Sequence, residues 1–142
     1  MREVVQLTSR AESLAGEAAA SDRDVRVLVV DDERYITDLV ATALRYEGFE
    51  VASARNGREA LTLVETFRPG LIVLDVMLPG TGGIAVLEQL RADERLAPVP
   101  VVVMTAWPQM EKQAFDAGAS RFFAKPFEPE AMKDAVEELL GR

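Results

Sequence analysis

LIVLDVMLPG (71–80) is the stretch that decides the fold, because four apolar residues run directly into an aspartate and a Pro-Gly turn follows. Such an unbroken apolar run is typical of a strand that helices cover on both faces. Three further stretches have the same form, an apolar run closed by polar residues: VLVVDDE (27–33), VVVMTA (101–106) and RFFAK (121–125). A fifth run, Phe49–Ala54, precedes an Asn-Gly turn, so the sequence predicts five buried strands.

Apolar residues at helical spacing fill the intervals between these runs. In the first interval the spacing extends from Ile36 to Leu44, and Gly48 is placed to end the helix. A second helix is marked by Ala60, Leu61, Val64 and Phe67, and the others are predicted at Ile84–Arg91, Glu111–Ala117 and Glu128–Leu140. The inner face of the last helix is predicted to comprise Ala131, Met132, Ala135, Val136, Leu139 and Leu140.

Strand and helix therefore alternate five times, and parallel strands joined by helices require right-handed crossovers. The predicted fold is α/β, a doubly wound parallel sheet of five strands. The small size of the chain favours the flavodoxin-like strand order 2-1-3-4-5. In such sheets, ligands bind at the carboxyl ends of the strands, near the point where the strand order reverses. The residues that close the strands are thus the candidates for a functional site.

The chain has 142 residues, which fit one domain, and we place that domain at residues 25–142. Residues 1–24 have a different composition, rich in Ala, Glu, Ser and Arg. Ser9 and Glu12 have the spacing of a capping box, which favours a short helix from about Arg10 to Ala20. A frayed tail is the equal alternative for this extension.

Composition excludes several kinds of chemistry. The chain has no cysteine and no histidine, which excludes disulfides, thiolate nucleophiles, His-dependent triads and zinc sites built from either residue. With a net charge of −8 the chain has no basic stripe, so we expect no direct nucleic-acid binding. The sequence contains no apolar run long enough to span a membrane and no signal peptide, so we expect a cytoplasmic protein.

Polar residues close four of the predicted strands: Asp31 and Asp32 the first, Asp75 the third, Thr105 the fourth and Lys125 the fifth. Three carboxylates this close repel one another while ionised, and Mg²⁺, which prefers oxygen ligands, would offset their charge. A carboxylate surrounded by Mg²⁺, a lysine and a hydroxyl is suited to accept a phosphoryl group.

Taken singly, each of these residues has a plainer explanation. Asp31 and Asp32 could cap the next helix, and Asp75 could be a turn residue. Thr105 could be an ordinary strand-end hydroxyl, and Lys125 a solvated surface charge. The hypothesis rests on the combination, because chance would rarely place all these groups at one edge of a sheet.

The chain resembles the receiver domains of two-component response regulators over about residues 25–141. The stretches that match are VLVVDDE (27–33), LIVLDVMLPG (71–80), VVVMTA (101–106) and GASRFFAKPF (118–127). The resemblance implies a phosphorylation-dependent signalling switch, in which a phosphohistidine donates a phosphoryl group and the chain changes its partner-binding surface.

The resemblance also implies roles for individual residues. Asp75 would be the phosphoacceptor, and Asp31, Asp32 and Asp75 would bind Mg²⁺ together with the backbone carbonyl of Met77. Met77 and Trp107 stand at the two positions that tune how long the phosphoryl group survives. Such a domain catalyses its own phosphoryl acceptance and slow autodephosphorylation, and is otherwise not an enzyme.

Two further residues would contact the phosphoryl group, namely Thr105 through its hydroxyl and Lys125 through its ammonium group. Thr105 and Phe122 match the switch positions of the family, in which an aromatic ring fills space that the hydroxyl vacates. Lys125-Pro126 resembles the cis peptide of the family, which a residue before proline adopts at little cost.

The implied partners are a sensor histidine kinase or phosphotransfer protein and a downstream protein target that the sequence does not name. The resemblance also allows a homodimer through the face between the fourth and fifth helices. Two features depart from the family pattern. The stretch from Thr105 to Gly118 is short and contains Trp107-Pro108, so we expect a short or shifted fourth helix. The sequence ends with the fifth helix, which leaves open a stand-alone receiver or a fragment of a longer protein.

Two other functions compete with this one. A pseudo-receiver binds partners without phosphorylation, but it usually lacks an acidic or lysine position, and this chain has all of them. A phosphatase or phosphotransferase of another doubly wound family would also use an aspartate nucleophile. Such enzymes typically have a second aspartate two positions later, where this chain has Met77.

Overall fold

The computed structural model describes residues 25–80 and 82–142, so the helix or tail predicted within residues 1–24 lies outside the described residues. Strands and helices alternate along the described chain. The strands are β1 Arg26–Val30, β2 Glu50–Ala54, β3 Leu71–Asp75, β4 Val101–Thr105 and β5 Arg121–Ala124. The helices are α1 Arg34–Tyr46, α2 Gly57–Phe67, α3 Gly83–Ala92, α4 Glu111–Asp116 and α5 Pro129–Leu139.

The strands form one parallel sheet in the order β2-β1-β3-β4-β5, which confirms the predicted doubly wound, flavodoxin-like fold. The strand order reverses between β1 and β3, because the chain moves outward from β1 to β2 and then returns to the other side of β1. The register pairs Val30 with Leu74, which brings Asp31 and Asp75, the next residues, to the same level of the sheet.

Helices cover both faces of the sheet, and successive residues of a strand face opposite layers. On one side, Val73 belongs to an apolar cluster with residues of α1 and α5. On the other side, its neighbour Leu74 belongs to a cluster with residues of α2 and α3. All five residues of β3 are buried, which explains why its sequence shows no polar alternation.

Helix α5 corrects one prediction. Met132, Ala135 and Val136 are buried as predicted and Leu139 is partly buried, but Ala131 is exposed. The inward positions follow the spacing i, i+3, i+4, i+7 from Met132, and Ala131 lies one residue before that series. Alanine is apolar but small and is common on both buried and exposed helix faces, so the residue type of Ala131 did not indicate which way it faces.

The chain between β4 and β5 confirms the expected short fourth helix. One turn of 3₁₀ helix, Pro108–Met110, precedes α4, which has 6 residues. The end of this segment is tied to α3 by Arg91, whose Nε and Nη2 donate to the carbonyl oxygen of Gly118 at 3.0 and 2.8 Å. Within residues 25–80 and 82–142, no helix combines the length and hydropathy needed to cross a bilayer.

Candidate functional site

A cluster of carboxylates lies at the carboxyl ends of β1 and β3. Asp31 and Asp32 directly follow β1, and Asp75 is the last residue of β3. One carboxylate oxygen from each of the three lies within 4.8 Å of the others. Asp31 and Asp75 are buried whereas Asp32 is exposed, so the cluster has a buried floor and one side open to solvent.

Asp31 is fully buried and fixed by its neighbours. Its Oδ1 accepts the backbone N–H of Glu33 at 2.8 Å. Its Oδ2 lies 2.7 Å from Lys125 Nζ as an ion pair, yet no described residue makes a well-formed hydrogen bond to that oxygen. Burial raises the pKa of the Asp31 carboxyl above its usual range, against the opposing effects of Lys125 and the Glu33 amide. The fold thus holds a carboxylate whose charge is incompletely compensated.

The capping alternative for the two adjacent aspartates is wrong. Helix α1 begins at Arg34, and its N-cap residue is Glu33. Asp31 binds the amide of that N-cap residue, which precedes the helix. The first acidic residue after β1 therefore stabilises the loop at the edge of the sheet.

Lys125 reaches the cluster from the end of β5, with only 11% of its side chain exposed. Besides Asp31, its Nζ lies 3.0 Å from Asp75 Oδ2 and 3.0 Å from Glu33 Oε1. Burial alone would lower the pKa of Lys125, but its contacts with the three carboxylates outweigh burial and raise that pKa above its ordinary value. Lys125 is thus the charged counterion of the cluster. The Lys125–Pro126 peptide is cis, as the family resemblance implies.

Glu33 contacts this site, and the sequence prediction missed it. Its carboxylate accepts a hydrogen bond from Lys125 Nζ, while its side chain is 61% exposed. The one signal in the sequence was the third acidic residue of the run Asp31-Asp32-Glu33. That signal was weak, because an exposed glutamate at the start of a helix is common without any contact to a site.

Asp75 is oriented by bonds to both of its carboxylate oxygens. Oδ1 accepts the backbone N–H of Met77 at 2.8 Å, and Oδ2 accepts from Lys125. The backbone after Asp75 is held by Gly83, whose N–H donates to the Val76 carbonyl at 3.1 Å. A Cβ atom on Gly83 would collide with the carbonyl oxygen of Asp75 and with Val76 Cα. The helix predicted from Ile84 therefore starts one residue earlier, packed directly on the backbone of Asp75.

Thr105 closes β4 and is fully buried. Its Oγ1 accepts the backbone N–H of Trp107 at 3.2 Å. Phe122 lies on the neighbouring strand β5, opposite Val103, and its ring centroid is 6.5 Å from that of Phe115 in α4. The two residues expected to form a switch thus lie on adjacent strands, and the ring of Phe122 touches the shortened helix.

Met77 and Trp107 follow Asp75 and Thr105 at the same interval of two residues. The side chain of Met77 is 44% exposed and that of Trp107 is 49% exposed. Both are among the large apolar residues on the surface of the described chain. Their backbone N–H groups point inward, since one binds Asp75 and the other binds Thr105.

The donor set fits Mg²⁺. Three carboxylates converge, and Oδ2 of buried Asp31, which accepts no well-formed hydrogen bond from the described residues, is a hard oxygen ligand of the kind that Mg²⁺ prefers. Because Asp32 is exposed, the site is open to the several waters that Mg²⁺ retains when it binds to proteins. Asp31, Asp32 and Asp75 are therefore the residues that could hold this ion.

Comparison with known proteins matches residues 27–137 to the family model described as the response regulator receiver domain. Among curated relatives, the DNA-binding dual master transcriptional regulator RpaA of Synechocystis is 41% identical over 119 residues, which cover 82% of this chain and 49% of that protein. The chain thus spans about half the length of the curated relatives it matches.

Solved structures give the same result. A putative response regulator from Chloroflexus aurantiacus superposes with a TM-score of 0.78 at 31% identity, covering 82% of this chain and 98% of that one. The BeF3-activated receiver domain of DrrB superposes with a TM-score of 0.74 at 28% identity, covering 82% and 97%.

Proposed function

The chain belongs to the response regulator receiver domain family of two-component systems, and we propose that Asp75 is its phosphoacceptor. In this proposal, Asp75 takes a phosphoryl group from a phosphohistidine of a sensor kinase or phosphotransfer protein. The modified chain then presents a changed surface to a downstream partner. The observation that carries the proposal is the pair of bonds that orient the Asp75 carboxylate, one from the Met77 amide and one from Lys125.

The step is an in-line displacement at phosphorus. An oxygen of the Asp75 carboxylate forms the new P–O bond while the P–N bond to the donor imidazole breaks, and the imidazole nitrogen keeps the electron pair and takes up a proton. Lys125 is placed to neutralise charge on the equatorial oxygens, because its Nζ already lies 3.0 Å from Asp75 Oδ2. The Thr105 hydroxyl closes the adjacent strand and would contribute a further donor.

Asp31, Asp32 and Asp75 would hold Mg²⁺, with the Met77 carbonyl as a further ligand. When bound, the ion would offset the carboxylate charges and supply positive charge for the developing negative charge of the phosphoryl group. Without it, a dianionic group would have to approach three carboxylates within 4.8 Å of one another.

The output of the switch would pass through Thr105 and Phe122. A phosphoryl group on Asp75 would draw the Thr105 hydroxyl inward, and the ring of Phe122 would move into the space that it leaves. Phe122 already contacts Phe115 of α4, so this motion would change the face formed by α4, β5 and α5. That face is where we place a downstream protein or a second copy of the chain. A partner responds only if it binds one of the two states more tightly.

The test is labelling of the full chain by acetyl phosphate in the presence of Mg²⁺. We expect stoichiometric, Mg²⁺-dependent labelling of the wild-type chain and none of Asp75→Asn, which keeps the shape and removes the nucleophile. Asp116→Asn, an exposed aspartate on α4, is the matched control and should label normally. Labelling of Asp75→Asn at full stoichiometry would show that the acceptor is another residue. An unlabelled wild-type chain would favour a pseudo-receiver that works by binding alone.

A further inference from the structure

Glu33 contacts Lys125 from the solvent side of the acidic cluster. Lys125 Nζ lies 2.7 Å from Asp31 Oδ2, 3.0 Å from Asp75 Oδ2 and 3.0 Å from Glu33 Oε1. An ammonium group has three N–H donors. Lys125 Nζ donates to Asp75 and Glu33, and its ion pair with Asp31 lies on the buried side of the cluster. A phosphoryl oxygen on Asp75 that pairs with Lys125 therefore competes with these carboxylates for the ammonium group.

Glu33 is the partner that is easiest to replace. Asp31 is fully buried and bound to a backbone amide, so bulk water would not solvate its carboxylate if Lys125 moved away. Asp75 carries the phosphoryl group itself. The Glu33 side chain is 61% exposed, and among the described residues its carboxylate has Lys125 as its one hydrogen-bond donor. Once released, that carboxylate would be solvated by water at little cost.

We propose that Glu33 is a positioning residue that competes with the phosphoryl group for Lys125 and so favours the unphosphorylated state. This inference rests on the proposed function, since it assumes that Asp75 is the acceptor. In the resting protein, Glu33 fixes the Lys125 ammonium group beside the site. On phosphorylation, Lys125 exchanges Glu33 for a phosphoryl oxygen, and the N-terminal end of α1 loses a tether to the end of β5.

Glu33 also adds a negative charge beside three carboxylates. This charge repels a phosphoryl group and so also favours the unphosphorylated state. The pair is partly exposed, so the expected effect is modest. Exposed ion pairs typically change an equilibrium constant by about twofold to fivefold. Replacing Glu33 by glutamine, which has the same shape and no charge, should strengthen binding of a phosphoryl analogue by about that factor.

The test is titration of the full chain with beryllofluoride, an analogue of the phosphoryl group, at saturating Mg²⁺, followed by the fluorescence of the single tryptophan, Trp107. We expect Glu33→Gln to bind beryllofluoride about twofold to fivefold more tightly than wild type. Glu50→Gln is the matched control, because it removes the same charge at the opposite edge of the sheet, where β2 begins. Its affinity should equal that of wild type.

Two further measurements separate competition for Lys125 from a general charge effect. In a Lys125→Met background, the gain from Glu33→Gln should be lost. The ¹⁵N resonance of Lys125 Nζ in the free protein should shift in Glu33→Gln and stay unchanged in Glu50→Gln. If Glu33→Gln strengthens beryllofluoride binding equally with and without Lys125, or leaves the Nζ resonance unmoved, the inference about Glu33 is wrong and the proposed function still stands. A wild-type chain that does not bind beryllofluoride overturns the proposed function as well.

Discussion

Lys125 Nζ donates to Asp75 Oδ2 at 3.0 Å across 50 residues of sequence, from the end of β5 to the end of β3. The intervening strand, β4, ends in the small residue Thr105, which lies fully buried between them in the sheet. The order of the strands thus places one cation, Lys125, beside the carboxylates at the ends of β1 and β3. The affinity of the site for Mg²⁺ and for a phosphoryl group depends on that charge balance.

Asp32→Asn should weaken Mg²⁺ binding by roughly tenfold or more, because a hard cation loses one anionic ligand from its coordination sphere. Asp32 is exposed, so the apo fold should keep its stability. Titration of Trp107 fluorescence with MgCl₂ measures the affinity. Asp134→Asn, an exposed aspartate on α5, is the control and should match wild type. Unchanged affinity in Asp32→Asn would remove Asp32 from the site.

Asp31→Asn should stabilise the Mg²⁺-free protein at neutral pH. Burial raises the pKa of Asp31 in the folded state above its unfolded value of 3.8, so the folded chain binds this proton more tightly than the unfolded chain does. The contribution of Asp31 to stability is therefore most favourable below pH 3.8 and is lost as the pH rises through its folded pKa. Asparagine does not ionise and avoids this loss.

Urea unfolding in EDTA at a series of pH values tests the sign of this effect. The urea midpoint of Asp31→Asn should exceed that of wild type at pH 7, and the difference should shrink as the pH falls towards 4. Saturating Mg²⁺ should reverse the order, because only wild type has the full set of ligands. A variant that is less stable than wild type at pH 7 without metal would show that the ion pair with Lys125 outweighs the cost of burial.

Thr105→Ala should still be labelled by acetyl phosphate, although the resulting movement of Phe122 should be smaller than in wild type. The mutation removes the hydroxyl that is expected to follow the phosphoryl group, and it leaves Asp75 and Lys125 in place. The readout is the change in the aromatic NMR resonances of Phe122 on addition of beryllofluoride. Thr105→Ser keeps the hydroxyl and should respond as wild type does. An undiminished change in Thr105→Ala would separate Phe122 from Thr105.

Gly83→Ala should disturb the acceptor through the backbone. The added methyl group meets the Asp75 carbonyl and Val76 Cα, so either α3 or the chain after β3 must move. Overpacking of this kind costs about 1–3 kcal/mol of unfolding free energy, and labelling of Asp75 should slow with it. Gly82→Ala is the matched control, because its Cβ would lie 4.0 Å from the nearest atom. Equal stability of the two variants would show that the backbone around Gly83 accommodates the methyl group at little energetic cost.

The sequence was sufficient for the fold and for most of the candidate site because strand ends follow directly from where an apolar run meets a polar residue. Asp31, Asp75, Thr105 and Lys125 are each identified in this way, and the sheet order then brings them together. The assignment of their chemical roles stays a prediction that follows from the family resemblance.

Contacts that depend on the reach of long side chains could not be predicted in the same way. Glu33 meets Lys125 across 92 residues, and that contact depends on how the loops after β1 and β5 direct two flexible side chains. Arg91 of α3 likewise binds the carbonyl of Gly118, which follows α4. In the sequence, nothing distinguishes Arg91 from an ordinary surface arginine. Neither contact leaves a periodic or local signal in the sequence.

The lifetime of the phosphoryl group depends on how easily water reaches phosphorus. Water hydrolyses an acyl phosphate by attacking phosphorus in line, opposite Asp75, and Met77 and Trp107 are expected to flank that path. Neither side chain can act as a base or orient a water through a carboxylate or amide, and both are large and apolar. Their backbone N–H groups bind Asp75 and Thr105, so both residues lie next to the site, and we expect their apolar side chains to exclude water and to give a long-lived phosphoryl state.

Decay of the phosphorylated protein after removal of acetyl phosphate measures this lifetime. Met77→Asn and Trp107→Lys should each speed the decay severalfold, because a polar side chain admits water to the approach and recovers a small part of the several kcal/mol that full orientation of a nucleophile is worth. Tyr46→Asn, which replaces an exposed residue at the end of α1, should decay as wild type does. If the decay is unchanged in both site variants, Trp107 is turned away over the short α4, and apolar shielding does not set the rate.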